Sequence, residues 1–90
     1  MPQLETLTAS DFEELRGQLF RIADAFVAEL VEVTEIPREL DGRAPFSLVF
    51  EGGPSQPLPQ AVYPVHHERL GEMEIFLVPS APERYEAVFT

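Results

Sequence analysis

Three stretches of the chain, PFSLVFE at 45–51, EMEIFLVP at 72–79 and RYEAVF at 84–89, change character residue by residue. Side chains on a β-strand point to opposite faces in turn, so a period of two marks a strand with one face buried. Phe46, Leu48 and Phe50 share one side of the first stretch, and Ser47, Val49 and Glu51 share the other. In the second, Met73, Ile75 and Leu77 oppose Glu72, Glu74 and Phe76; in the third, Tyr85, Ala87 and Phe89 lie together. AVYPVHH at 61–67 reads as a further strand. Pro64 has no amide proton, which predicts an edge or a bulge there. Gly71 marks a reversal, so YPVHHERLGEMEIFLVP is a hairpin, and Asp41-Gly42 marks another turn. Pro79 and Pro82 bound a short loop before RYEAVF.

A helix precedes these strands. In LTASDFEELRG, Thr8 is placed as an N-cap and Asp11, three residues on, as its capping-box partner. Leu7 and Phe12 have the spacing of a hydrophobic staple, Phe12 and Leu15 form the packed face, and Gly17 supplies the stop. The stretch that follows, QLFRIADAFVAELVEVTEIP, supports two readings. Ile22, Phe26, Leu30 and Val33 have helical spacing. The β-branched residues Val27, Val31, Val33, Thr34 and Ile36 favour a hairpin that turns near Asp24. In that hairpin a β-bulge near Val31 and Glu32 puts both Leu30 and Val33 inward. The sum is a mostly β domain of five or six antiparallel strands and one short N-terminal helix, a small barrel or two-layer sandwich with the helix over one opening. FSLVF, exposed at an edge, would invite pairing with other chains. It is expected to be central, or paired in a homodimer.

Ninety residues make one small domain, spanning 1–90, with a thin core and little room for a deep cavity. The chain has no cysteine, which excludes disulfides, thiolate metal sites and a cysteine nucleophile, and suits the cytoplasm. There is no long apolar run, and MPQLETLTASDF lacks the basic-then-apolar order of a secretory signal. Sixteen acidic residues against six basic give a net charge of −10. Phosphate binding depends on cations, so nucleic acid and anionic membranes are excluded as partners, and a basic protein partner is favoured.

His66 and His67 are adjacent, so on a strand they face opposite ways and do not share an ion. His67 with Glu72 across the hairpin would need a third ligand to hold zinc, with Glu74 on the same face as Glu72. The plainer reading is an exposed turn in which His67 bonds local backbone or a carboxylate. The glutamates Glu29, Glu32, Glu35, Glu72, Glu74 and Glu86 read as a solvated sheet face, because acid–base catalysis needs a carboxyl in a water-excluded cleft. No serine lies in a nucleophile elbow, and Gly52-Gly53-Pro54 is not followed by a phosphate-loop lysine. No catalytic residue and no cofactor is expected, and the chain is read as not an enzyme. The loop GGPSQPLPQAVY is the most favoured contact element. Gln56, Leu58, Gln60 and Tyr63 stand on a proline-stiffened frame, with His67 as a further contact residue. The competing role is structural, with Leu58 plugging one end of the barrel.

LTASDFEEL with Gly17 and Phe20, then PFSLVFEG, LPQAVYPVHHERLG, FLVPSAP and RYEAVF, resemble in order and spacing a bacterial family of small acidic domains of unknown function. The likeness covers nearly the whole chain. It implies short strands around 19–36, and a histidine at the position of His67, whereas His66 is particular to this sequence. It also implies genes for phage-tail-collar-like proteins nearby, and so an accessory or assembly factor for a tail-like or fibre-like structure. It carries over no site residues. The function expected is non-enzymatic protein interaction; the alternative is a small-molecule or metal-ion-binding barrel.

Overall fold

The computed structural model describes residues 8–35, 45–53 and 58–89. A helix, α1 (Ala9–Glu13), precedes six strands: β1 (Leu19–Ile22), β2 (Phe26–Glu35), β3 (Phe46–Gly52), β4 (Ala61–His67), β5 (Gly71–Ala81) and β6 (Arg84–Phe89). They pair antiparallel in the order β1-β2-β3-β6-β5-β4, and β4 pairs back onto β1, closing a barrel. The sequence left barrel and sandwich open; closure decides for the barrel. The predicted turn at Asp41-Gly42 and the Leu7 half of the staple lie outside the described residues.

The capping box forms as the sequence requires. The Thr8 backbone N–H donates to Asp11 Oδ2 at 2.8 Å, and the Thr8 hydroxyl donates to the same oxygen at 3.2 Å. Gly17 then turns the chain at φ 92°, and its N–H donates to the Leu30 carbonyl at 2.7 Å, tying the helix exit to β2. Of the two readings for 20–33, the hairpin is observed. Ile22 pairs with Phe26 around a turn at 23–25, and the β2–β3 register shifts between Leu30 and Glu32. That bulge leaves Leu30 opposite Phe50 and Val33 opposite Leu48, so both face inward despite the odd spacing.

β3 lies between β2 and β6, so FSLVF is central. Two expectations about the prolines are corrected. β4 is not an edge: Pro64 pairs with Glu74 on β5, and its carbonyl accepts the Ala23 N–H at 2.8 Å. On an antiparallel strand the N–H and C=O of one residue point the same way. The missing proton therefore falls on the β1 side, where β1 ends, and the β5 ladder loses nothing. Pro79 is likewise within β5, opposite Tyr85, so the connection to β6 shrinks to Pro82 and Glu83.

The barrel is filled. Phe12, Phe20, Ile22, Leu30, Phe46, Leu48, Phe50, Val65, Leu77 and Tyr85 are fully buried. At one end α1 seats Phe12 against Phe46 and Phe89, with ring centroids 5.8 and 5.6 Å apart, and those two rings stack on each other at 4.7 Å. Burial of each such side chain stabilises the fold by roughly 1.5–3 kcal/mol, so the short helix is held by its plug more than by its own length.

Candidate functional site

The residues singled out in the sequence divide between the two ends of the barrel. β4 runs from Ala61 to His67, which puts Tyr63 toward one end and His67 at the other. The structure therefore does not gather Leu58, Gln60, Tyr63 and His67 into one site; Gln56 lies outside the described residues.

At the loop end, the Leu58 N–H donates to the Tyr85 hydroxyl at 2.8 Å, and Leu58 packs on the core. The Tyr63 hydroxyl donates to the Pro59 carbonyl at 2.5 Å. Tyr85 also stacks on Phe26, with centroids 5.6 Å apart. Gly53, at φ 91°, lies against that phenylalanine so closely that a Cβ would sit 2.6 Å from the ring. This explains the second glycine of GGP: only a residue without a side chain can turn there over Phe26. Leu58 and Tyr63 thus take the plugging role, and Gln60 is exposed beside them. An open cleft of about 290 Å³ lies nearby, lined by Glu51, Gly52, Pro82 and Glu83. Of its two carboxylates, Glu51 is engaged by Arg84 at 2.6 Å.

At the helix end, the expected bond between His67 and local backbone forms, but the expected exposure of the ring is corrected. His67 is only 3% exposed and points into the barrel. Its ring packs on Phe20 with centroids 4.6 Å apart. Nδ1 accepts the Arg69 backbone N–H at 3.0 Å, so Nε2 carries the proton and donates to Gln18 Oε1 at 2.8 Å. Both nitrogens are satisfied by the neutral ring. Burial pushes the His67 pKa below the ordinary 6.5, and the neighbouring Arg69 charge adds to the effect. The strand register also corrects the pairing: Glu72 lies opposite His66 on the outer surface, and Gly71 lies opposite His67. His67 and Glu72 face opposite sides of the wall and do not converge on an ion. Among the described residues no group of three His, Asp or Glu side chains is placed to hold a metal.

The sequence reading missed a feature on the outside. Val62, Phe76 and Val88 are 55%, 48% and 55% exposed. Val62 pairs with Phe76. The β5–β6 pairing ends at Val78 opposite Glu86; continued two residues along each strand, the same register brings Phe76 toward Val88 on the outer face. One apolar row thus crosses β4, β5 and β6. The signal was present: EMEIFLVP puts a phenylalanine on its glutamate face.

Among the described residues no helix is long and apolar enough to cross a membrane. No curated protein matches the chain, and no solved structure does. Residues 7–89 match a family described as a domain of unknown function, DUF6916, and with nearly the whole chain inside that match, the protein belongs to the DUF6916 family.

Proposed function

We propose that this domain is a non-enzymatic protein-interaction module, an accessory or assembly factor working in the cytoplasm. The observation that carries the reading is the combination of a filled interior with an apolar exterior row. Phe12 stops one end of the barrel, and Leu58, Phe26 and Tyr85 pack at the other, while large apolar side chains stand in solvent on the wall. Contiguous exposed apolar surface rimmed by polar groups is the usual mark of a protein contact. His67, the polar residue that first suggests chemistry, is occupied structurally by Gln18 and Arg69. The resemblance to a bacterial family placed near tail-collar-like genes extends the proposal to assembly of a tail-like or fibre-like structure.

The test is co-isolation of the tagged protein from its own host, with protein and metabolite content both quantified. A stoichiometric protein partner is expected. Recovery of none, together with a saturable thermal shift by one small metabolite, overturns the reading in favour of ligand binding.

A further inference from the structure

We propose that the Val62–Phe76–Val88 row is the docking surface, and that its occupant is a short cationic segment of another protein, carrying apolar anchors between arginines or lysines. The inference rests on the interaction reading above and assigns its place and chemistry.

A closed barrel has no continuous free strand edge, which disfavours recognition by strand addition and leaves the side chains of the outer wall. On the β4–β5–β6 wall, successive rows can be read from the register. His66 lies opposite Glu72, Pro64 opposite Glu74, Val62 opposite Phe76, and Val78 opposite Glu86. The apolar row is therefore bracketed by Glu74 on one side and Glu86 on the other, with Glu72 beyond. All three residues around the row's centre ride on rigid paired strands, so a partner meets a surface already ordered. Beyond Val88 the row continues to Ser47, its register partner on β3, so the apolar part ends without a basic residue. An apolar centre with an acidic rim is complementary to apolar anchors flanked by cations.

A second copy of the chain is the poorer occupant. Two such surfaces face to face would oppose Glu74 and Glu86 with their equivalents, on chains each carrying a net charge of −10. Three half-exposed side chains also fall well short of the roughly 1,200–2,000 Å² that a stable interface buries. A short segment needs less.

The probes are two labelled peptides of equal length and charge, one alternating arginine with leucine and the other arginine with serine. Binding is measured by fluorescence anisotropy, and the contact is mapped by backbone NMR shifts on the whole protein. The arginine–leucine peptide is expected to bind more tightly and to shift amides around Val62, Phe76 and Val88. Phe76→Thr, which keeps a strand-forming residue on the wall, should weaken that binding about tenfold. The pair Glu74→Gln and Glu86→Gln should weaken it also and flatten its salt dependence. Val62→Thr provides a second variant should Phe76→Thr disturb the fold. Equal affinity for the two peptides, no binding of either, or shifts centred on Glu29 and Glu51 overturns the assignment. So does dimerisation seen by sedimentation and abolished by Phe76→Thr. If co-isolation yields a partner while the peptides fail, the surface is misassigned and the interaction reading survives. If co-isolation yields no partner and one small metabolite gives a saturable thermal shift, the broader reading goes.

Discussion

His67 illustrates how a residue that suggests a metal ligand or a contact can be part of the core. Protonation would turn Nδ1 from acceptor into donor, pointing at the Arg69 N–H, and would place a charge against Phe20. The folded state therefore binds this proton less readily than the unfolded chain, whose histidine titrates near 6.5. The unfolded state carries more protons just below that value, so stability rises with pH through the window and is lost on acidification. Glu68, Arg69 and His66 also act on the ring, with the glutamate opposing the other two. Relative to His67→Gln, the natural protein should lose urea resistance between about pH 7.5 and pH 5. Parallel curves for the two proteins would show that His67 does not titrate in the folded state differently from the unfolded. Two backbone positions give opposite expectations. Gly53→Ala should cost about 1–3 kcal/mol, because φ 91° is strained for alanine and the Phe26 ring must move. Ala23 already sits at φ 55° in the β1–β2 turn, so Ala23→Gly should stabilise by about 0.5–1 kcal/mol in denaturant titrations.

At the scale of elements, α1 shows how little helix is needed when its cap and its plug agree. Thr8→Ala removes the hydroxyl bond to Asp11 and should cost about 1 kcal/mol. Phe12→Ala empties the space against Phe46 and Phe89 and should cost about 3–5 kcal/mol. Thermal unfolding of the two variants separates cap from plug; similar losses would mean that the helix is held by its terminus after all. This element was legible in the chain because capping is local, written in Thr8, Asp11 and Gly17. The strands with one polar and one apolar face were legible for the same reason. β4 was not. Its two faces, Ala61-Tyr63-Val65-His67 and Val62-Pro64-His66, both mix apolar groups with a histidine, so nothing local says which histidine turns inward. The answer comes from β5, whose Met73 pairs with Val65 and fixes the parity of the whole strand. β2 was hard for a different reason. A bulge between Leu30 and Glu32 breaks the period of two and mimics helical spacing, and only pairing with β3 shows the register step. Nor does the turn at Ala23 and Asp24 contain a glycine to announce its two positive φ angles. The loop-end plug is legible in part, since Leu58 is an apolar residue on a proline-stiffened loop, but its bond to Tyr85 joins residues 27 apart. Val49 is a final instance. It points outward yet is 7% exposed, because it lies between Glu32 and Glu86 of the flanking strands.

For the molecule as a whole, the acidic excess works against the compact state. The chain measures 39 × 27 × 22 Å and carries a net charge of −10. Among the described residues there are two ion pairs, Arg16 with Glu13 and Arg84 with Glu51, so most carboxylates have no cation at contact distance. Some are direct register partners: Glu29 lies opposite Glu51 on the outer wall. Like charges placed opposite on a sheet are destabilising. In about 0.01 M salt the screening length is roughly 30 Å, comparable with the molecule, so nearly every carboxylate repels every other; in about 1 M salt it is roughly 3 Å. Unfolding spreads these charges apart, which makes repulsion a cost of the folded state. The melting temperature should therefore climb as sodium chloride is raised across that range. Sodium chloride is the right salt, because sulfate would strengthen apolar burial as well. Neutralising one partner of the direct pair, Glu29→Gln, should raise the low-salt melting temperature and reduce its dependence on salt. A melting temperature that stays flat would mean that arginines neutralise the wall at longer range, and it would weaken the case for a cationic partner, since the same unbalanced carboxylates are what such a partner would meet.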